Sequence, residues 1–190
     1  KAPYADQETM RARTKYYIEQ VITHFEEKFP GVIYCWDVVN EAIGDNASEW
    51  DASDARHLRT IRSGVDNLFK THLGNDYVEF SFLCAKDTVE ALGADITLFY
   101  NDYNMFFPEK RDAALALIDS INHYAKDENG EYRKLIDGAG MQGYIGGYGV
   151  QDGCLEDSNL DNIADAIRMY GEKGLEVHVT EMAVRNFVKT

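Results

Sequence analysis

Apolar residues recur at helical spacing in some stretches of the chain and form short continuous runs in others. In residues 7–29, Met10, Ile18 and Phe25 belong to a set spaced three or four positions apart, which predicts an amphipathic helix. Pro30-Gly31 ends this helix, and the apolar run VIYCWDVV follows at once. A nearly continuous apolar run rich in β-branched residues is typical of a strand buried on both faces, as in a parallel sheet.

Helices and strands alternate along the rest of the chain. The pattern predicts further helices at 54–73, 77–92, 108–125 and 159–174, and strands at 32–40, 96–104, 138–147 and 175–182. Alternation of this kind predicts parallel strands joined by helical crossovers, so the expected fold class is α/β. Polar residues end each strand and recur about every 40 residues in the last three units, which favours a (β/α)8 TIM barrel.

The chain is too short to close such a barrel, because four strands cannot do so and eight typically take ~250 residues. We therefore expect residues 1–190 to supply about half of a barrel, as four βα units that are incomplete at both ends. The other strands would come from further sequence or from another chain. A doubly wound sheet is disfavoured, because no glycine-rich phosphate loop follows any predicted strand.

Charge and composition narrow the classes of partner. The chain has 33 acidic and 19 basic residues and a formal net charge of −14, which disfavours nucleic acid and anionic membranes. No apolar run approaches the ~20 residues of a membrane span, and the first ten residues lack a signal-peptide pattern. We interpret Cys35, Cys84 and Cys154 as buried thiols, with a disulfide or a metal site as the alternative.

Two of the predicted strands end in a glutamate, Glu41 in VVNEA and Glu181 in VTEMA. A carboxylate is rarely left in apolar surroundings without a partner or a function. Paired carboxylates across a barrel mouth suit glycoside hydrolysis, where one is a protonated acid and the other a nucleophile or base. Apolar neighbours such as Trp36 and Val39 would raise the pKa of one of them. A structural salt bridge is the alternative for Glu41 alone, but the neighbouring Asn40 favours function.

The segments WDVVNEA, LFYNDYN, GMQG and VTEM together resemble glycoside hydrolase family 10, the endo-β-1,4-xylanases. The resemblance covers nearly the whole chain and implies strands four to seven of a (β/α)8 catalytic domain. It implies a retaining double displacement, with Glu41 as general acid/base and Glu181 as nucleophile, and carboxyl groups ~5–5.5 Å apart. It further implies a secreted enzyme that needs no cofactor and acts on xylan or xylo-oligosaccharides.

The resemblance also implies which residues contact the substrate. Asn40 would bind the 2-hydroxyl of the sugar that is cleaved, Tyr103 and Asn104 would line the aglycone side, and Gln142 would approach the nucleophile. For Trp50, in the loop after the NEA motif, a sugar-stacking platform and a loop anchor are equal alternatives.

The chain departs from the family pattern at two positions, where Tyr144 and Ala183 replace the usual His and Asp. In the family that His donates to the nucleophile and the Asp pairs with the His. We expect the Tyr144 hydroxyl to donate to Glu181 instead, keeping it ionised and altering the pH profile.

Three rivals to this interpretation remain. The first is a catalytically weakened carbohydrate-binding remnant of a xylanase, and the second is a related retaining β-glucanase or cellulase. The third is a metal-dependent sugar isomerase on the same fold. It is disfavoured because the strand ends offer too few metal ligands. We expect residues 1–190 alone to be inactive, since in the family the other strands supply most glycone contacts.

Overall fold

The structure, a computed structural model, describes residues 4–145 and 157–184. In chain order its elements are helix α1 (Gln7–Lys28), strands β1 (Cys35–Asn40), β2 (Ile61–Arg62) and β3 (Val65–Asp66), helices α2 (Leu68–Leu73) and α3 (Tyr77–Leu92), strand β4 (Thr97–Tyr103), helix α4 (Pro108–Asn122), strand β5 (Gly138–Ile145), helix α5 (Asp157–Glu172) and strand β6 (Glu176–Val184). No helix within the described ranges combines the length and apolarity that crossing a membrane requires.

Four of the strands form one parallel sheet in the order β1-β4-β5-β6. The α/β prediction is therefore confirmed, and the carboxyl ends of all four strands meet at one edge. The spatial order follows the chain order, with a helix between successive strands. This is the arrangement of a barrel segment, whereas a doubly wound sheet reverses its direction at a switch point.

The core lies between one face of this sheet and the helices that cover it. Phe82 on α3, Leu98 and Tyr100 on β4 and Leu117 on α4 are all completely buried. Strand β4 is buried over most of its length, which explains the continuous apolar run that predicted it. The core therefore fixes β4 firmly between its neighbours, and the polar residues that follow it are held with it.

The predicted helix at 54–73 is wrong over residues 54–67. Strands β2 and β3 form an antiparallel hairpin there, and its turn residues Ser63 and Gly64 have φ angles of 51° and 77°. Two left-handed residues in succession are what a tight hairpin turn demands, and a Ser-Gly pair supplies them. The helix begins only at Leu68, where Asn67 caps it by accepting from two backbone N–H groups.

Two of the three cysteines lie in the described part of the chain, and both are free thiols. Burial raises the pKa of Cys84 to about 11, as expected for an unreactive thiol in the core. Cys35 is only half-buried. Cys154 lies outside the described residues, so the prediction for it stays open.

Candidate active site

Both predicted catalytic glutamates lie at the carboxyl edge of the sheet. Glu41 directly follows β1, and Glu181 lies in the second half of β6. Their φ angles are 54° and 48°, and Asn104 after β4 has a φ of 57°. Residues other than glycine rarely adopt this left-handed region, and those that do concentrate at functional sites. The backbone therefore turns sharply after β1, after β4 and within β6, at three positions where the sequence placed site residues.

A continuous chain of side-chain amides joins the two carboxylates. Gln142 Nε2 donates to Glu41 Oε1 at 3.2 Å and to Asn40 Oδ1 at 3.1 Å. Asn101 Nδ2 donates to Asn40 Oδ1 and to Glu181 Oε1, both at 2.9 Å. We call Gln142, Asn40 and Asn101 the amide bridge. It holds the two glutamates in one hydrogen-bonded network although they lie on the two outer strands of the described sheet.

The amide bridge depends on a glycine in β5. Asn101 and Gly140 are direct partners in the parallel register of β4 and β5. A Cβ atom on Gly140 would come within 2.6 Å of Asn101 Oδ1. Without that Cβ, the Asn101 side chain can cross β5 to reach Glu181, and its own Oδ1 accepts from the Thr180 hydroxyl. No sequence pattern singles out Asn101, because its importance arises from register.

Gln142 donates to Glu41, and the expectation that it also approaches the nucleophile stays a prediction. Gln142 is buried on β5, and its amide reaches Glu41 beside β1, whereas Asn101 takes the position next to Glu181. Each of the two amides thus crosses one strand, in opposite directions. Which carboxylate an amide reaches is set by the curvature and register of the sheet, and a motif does not encode either.

The second oxygen of Glu41 is bound by the hairpin β2–β3. Arg62 Nη1 donates to Glu41 Oε2 at 2.9 Å. Burial raises the pKa of Glu41, but the hydrogen bonds from Arg62 and Gln142 outweigh it and lower the pKa below its ordinary value. The pKa of Glu41 therefore does not rise as predicted from its apolar neighbours. The prediction failed because the chain around Arg62 was expected to be helical.

Glu181 is also held through both oxygens. The Tyr144 hydroxyl donates to Oε2 at 2.6 Å, and Asn101 donates to Oε1. The predicted contact between Tyr144 and Glu181 is therefore confirmed.

Burial and the negative charge of Glu181 raise the pKa of Asp37, which lies on β1.

An open groove of about 670 Å³ runs along the carboxyl edge of the sheet. Its walls include the predicted site residues Glu41, Trp50, Tyr103, Asn104, Gln142 and Tyr144, together with Asp45, His57, Arg62, Glu109 and Lys110. The Trp50 ring stacks on His57 with 4.2 Å between centroids and 7° between planes. Trp50 is therefore anchored in its loop and also lines the groove, and its role as a sugar-stacking platform stays a prediction.

A charged cluster supports the groove beneath Tyr103. The Tyr103 hydroxyl donates to Asp45 and accepts from Arg59 at 3.1 Å. Lys110 Nζ lies 3.6 Å from the centre of the Tyr103 ring and 2.9 Å from both Asp45 and Asp102. Burial raises the pKa of Tyr103 to about 12, so the hydroxyl stays protonated. Because this hydroxyl is engaged, Tyr103 offers the groove mainly its ring.

Asp102 also fixes the turn that follows Glu41. It is completely buried and accepts from the Tyr100 hydroxyl, which in turn accepts from the backbone N–H of Ala42 at 3.0 Å. Burial raises the pKa of Asp102, although Lys110 and Tyr100 partly offset this. Asp102 is therefore a hydrogen-bonding partner inside the sheet, and its effect is to hold the backbone beside Glu41.

Comparisons with known proteins agree with this site. The model of Glycosyl hydrolase family 10 matches residues 2–189. A putative endo-1,4-β-xylanase of Caldicellulosiruptor saccharolyticus is 35% identical over 180 residues, which are 95% of this chain and 49% of that protein. A solved endo-1,4-β-xylanase from Caldicellulosiruptor owensensis is 28% identical with a TM-score of 0.69, and the match covers 98% of this chain and 46% of that one.

A variant of the intracellular xylanase from Thermoanaerobacterium saccharolyticum, solved in complex with xylotriose, is 27% identical with a TM-score of 0.66, over 93% of this chain and 44% of that one. The chain spans about half the length of the curated relatives it matches. Its four parallel strands are accordingly part of a (β/α)8 barrel. Since the family model matches almost every residue, the chain belongs to glycosyl hydrolase family 10.

Proposed function

We propose that the protein carrying this chain is a retaining endo-1,4-β-xylanase that hydrolyses internal β-1,4-xylosidic bonds of xylan. The observation that carries the proposal is the amide bridge, which holds Glu41 and Glu181 in one network at the carboxyl edge of the sheet. The family match and the relatives named as endo-1,4-β-xylanases support the same reaction.

The reaction proceeds by double displacement. Glu181 attacks the anomeric carbon while protonated Glu41 donates its proton to the leaving oxygen, and the glycosidic C–O bond breaks. Glu41, now ionised, takes a proton from a water molecule that attacks the same carbon, and the bond to Glu181 breaks with net retention. The donors on both oxygens of Glu181 hold its carboxylate in a fixed position at the carboxyl edge of the sheet. A separation of ~5–5.5 Å between the carboxyl groups stays a prediction of this mechanism.

The groove supports the predicted substrate contacts. Asn40 Oδ1 accepts from both Gln142 and Asn101, so the NH₂ group of the same amide is directed away from the bridge as a donor. We assign that donor to the 2-hydroxyl of the sugar at the cleavage point. Trp50, the Tyr103 ring and Asn104 form the aglycone side. An open groove, rather than a closed pocket, accommodates internal bonds of a polymer.

Xylan or a xylo-oligosaccharide is therefore the proposed partner, and the mechanism uses no cofactor, nucleic acid or membrane. The remaining barrel strands belong to sequence outside this chain, and residues 1–190 alone are expected to be inactive. Secretion is part of the proposal, because a polymer too large to cross a membrane must be cut outside the cell. One relative is described as an intracellular xylanase. Secretion should therefore be tested by assaying xylanase activity separately in the cell and medium fractions.

The experiment measures reducing-sugar release from β-1,4-xylan and from cellulose by the full-length protein. We expect cleavage of xylan, and loss of at least about 10²-fold in kcat in Glu41→Ala and Glu181→Ala. Glu109→Ala is the matched control, since Glu109 is a glutamate of the same groove that lies on α4 and outside the amide bridge. It should keep most of its activity.

Three other results would contradict the proposal. Binding of xylan without cleavage by the wild type would identify a carbohydrate-binding remnant. Faster cleavage of cellulose than of xylan would identify a related β-glucanase. Full activity of Glu41→Ala on xylan would remove Glu41 from the mechanism.

A further inference from the structure

Arg62 occupies an unusual place for a residue bonded to a catalytic glutamate. It lies on the two-residue strand β2, next to the turn of the hairpin and outside the parallel sheet that carries the amide bridge. Its side chain is 54% exposed, whereas that of Glu41 is 25% exposed. Its guanidinium carbon lies 6.0 Å from the centre of the Tyr103 ring, so it reaches across the groove from one wall.

Both carboxylate oxygens of Glu41 carry a donor in this arrangement. Oε1 accepts from Gln142 and Oε2 accepts from Arg62. A general acid must present a proton on one oxygen to the leaving group, and an oxygen that accepts from an arginine cannot do this. One donor must therefore leave. Gln142 is buried in the sheet and tied to Asn40, whereas the half-exposed Arg62 can transfer its guanidinium to water.

We propose that Arg62 is a displaceable cap on the general acid. In the free enzyme it holds Glu41 ionised, and the sugar that enters on the leaving-group side displaces it. Glu41 then takes up a proton from solvent, and this is the proton that passes to the glycosidic oxygen when the C–O bond breaks. Arg62 is a positioning residue in this scheme, since it acts through Glu41. The inference rests on the proposed xylanase function.

Other charged groups around the groove do not replace Arg62. Lys110 on α4 also lowers the pKa of Glu41 through its charge, but it is paired with Asp45 and Asp102 at 2.9 Å. The other titratable groups that line the groove are Tyr144 on β5, Glu109 on α4, Tyr103 on β4 and His57 in the loop after β1. Glu181 on β6 lies at the far end of the amide bridge. Within the part of the chain that the structure describes, Arg62 is the cation hydrogen-bonded to Glu41.

The experiment compares the pH dependence of kcat/KM and of kcat for xylohexaose hydrolysis by the full-length protein. The first reports the free enzyme and the second the complex. A cap that is present only before binding places the basic limb of kcat/KM at lower pH than the basic limb of kcat. In Arg62→Gln, we expect the basic limb of kcat/KM to shift to higher pH and meet that of kcat, which itself stays in place.

Two further variants make the test specific. Arg62→Lys keeps the positive charge and should restore part of the separation between the two limbs. Arg168→Gln is the matched control, because Arg168 is 56% exposed and ion-paired with Glu172 on α5 at 2.8 Å, remote from the groove. It should leave both limbs unchanged.

The outcomes separate this inference from the proposed function. If the wild type hydrolyses xylohexaose but Arg62→Gln leaves the basic limb of kcat/KM where it was, the cap is overturned and the xylanase proposal stands. If the wild type fails to hydrolyse xylohexaose at any pH, both are overturned. If Arg168→Gln shifts the basic limb of kcat/KM as far as Arg62→Gln does, the cap is also overturned.

Discussion

Tyr144 and Ala183 are direct partners in the parallel register of β5 and β6. These are the two positions at which the chain departs from the family pattern, where a His and an Asp are usual. Because they are neighbours across two strands, the two departures affect one place, beside Glu181. The Tyr144 hydroxyl occupies that place by donating to Glu181 at 2.6 Å. The site therefore keeps a donor to Glu181, the proposed nucleophile, at the place where the family pair was expected.

Removal of the Tyr144 hydroxyl should weaken the enzyme without unfolding it. One hydrogen bond to a partly exposed carboxylate contributes about 1–1.5 kcal/mol, so Tyr144→Phe should lower kcat/KM on xylohexaose about tenfold. Tyr132→Phe is the control, since Tyr132 is an exposed tyrosine outside the groove residues. An unchanged kcat/KM in Tyr144→Phe would show that the contact does not assist the nucleophile.

Restoring the family pair should change the pH profile. A Tyr144→His, Ala183→Asp double variant introduces an imidazole, which titrates between about pH 5 and 8, against the Glu181 carboxylate. We expect the pH–rate curve to gain a new dependence in that range. Ala183→Asp alone should lower activity, because it places a second carboxylate close to Glu181 on β6. A double variant with the wild-type pH–rate curve would contradict the expectation.

Asn101 should matter to both stability and catalysis. It is 1% exposed and bonds with Asn40, Glu181 and Thr180. Asn101→Ala removes one hydrogen bond from each of these partners, so we expect the free energy of unfolding to fall by about 1–3 kcal/mol and kcat to fall as well. Ser81→Ala is the control, because it removes a buried hydroxyl that donates to the Tyr77 carbonyl within α3. The Ser81→Ala variant should have a lower free energy of unfolding but the wild-type kcat.

A pair of glycines offers a steric test of the amide bridge. Gly140→Ala would place a methyl group 2.6 Å from Asn101 Oδ1, and should displace that amide and lower kcat. Gly171→Ala meets no atom within 4 Å in helix α5 and should raise the free energy of unfolding by up to about 1 kcal/mol. Thermal unfolding and kcat measured together separate the two effects. Equal activity of the two variants would contradict the role given to Gly140.

Trp50 should contribute to binding long substrates more than to the chemical step. Loss of an aromatic stacking partner costs about 0.5–1.5 kcal/mol, so Trp50→Ala should raise KM on xylan about 2- to 13-fold with kcat little changed. Tyr17→Ala, which removes an exposed aromatic ring from α1, should leave KM unchanged. A normal KM in Trp50→Ala would mean that Trp50 serves only as a loop anchor.

Local patterns were sufficient for most of the fold. The period of the apolar residues predicted four parallel strands and most of the helices, because burial of β4 and amphipathic packing of α3 impose it directly on the sequence. Turn chemistry overrode the pattern at Ser63 and Gly64, where two left-handed residues form a hairpin in place of a helix. That error also hid Arg62 from the predicted site.

The sequence by itself determined which residues end the strands, and so it placed Glu41 and Glu181 at one edge. The tertiary structure alone decided which groups touch them. Asn101 reaches Glu181 because Gly140 is opposite it in register, and Gln142 reaches Glu41 because its amide crosses β4. Strand ends are local properties of the chain, whereas contacts across a curved sheet depend on register and on packing between distant segments.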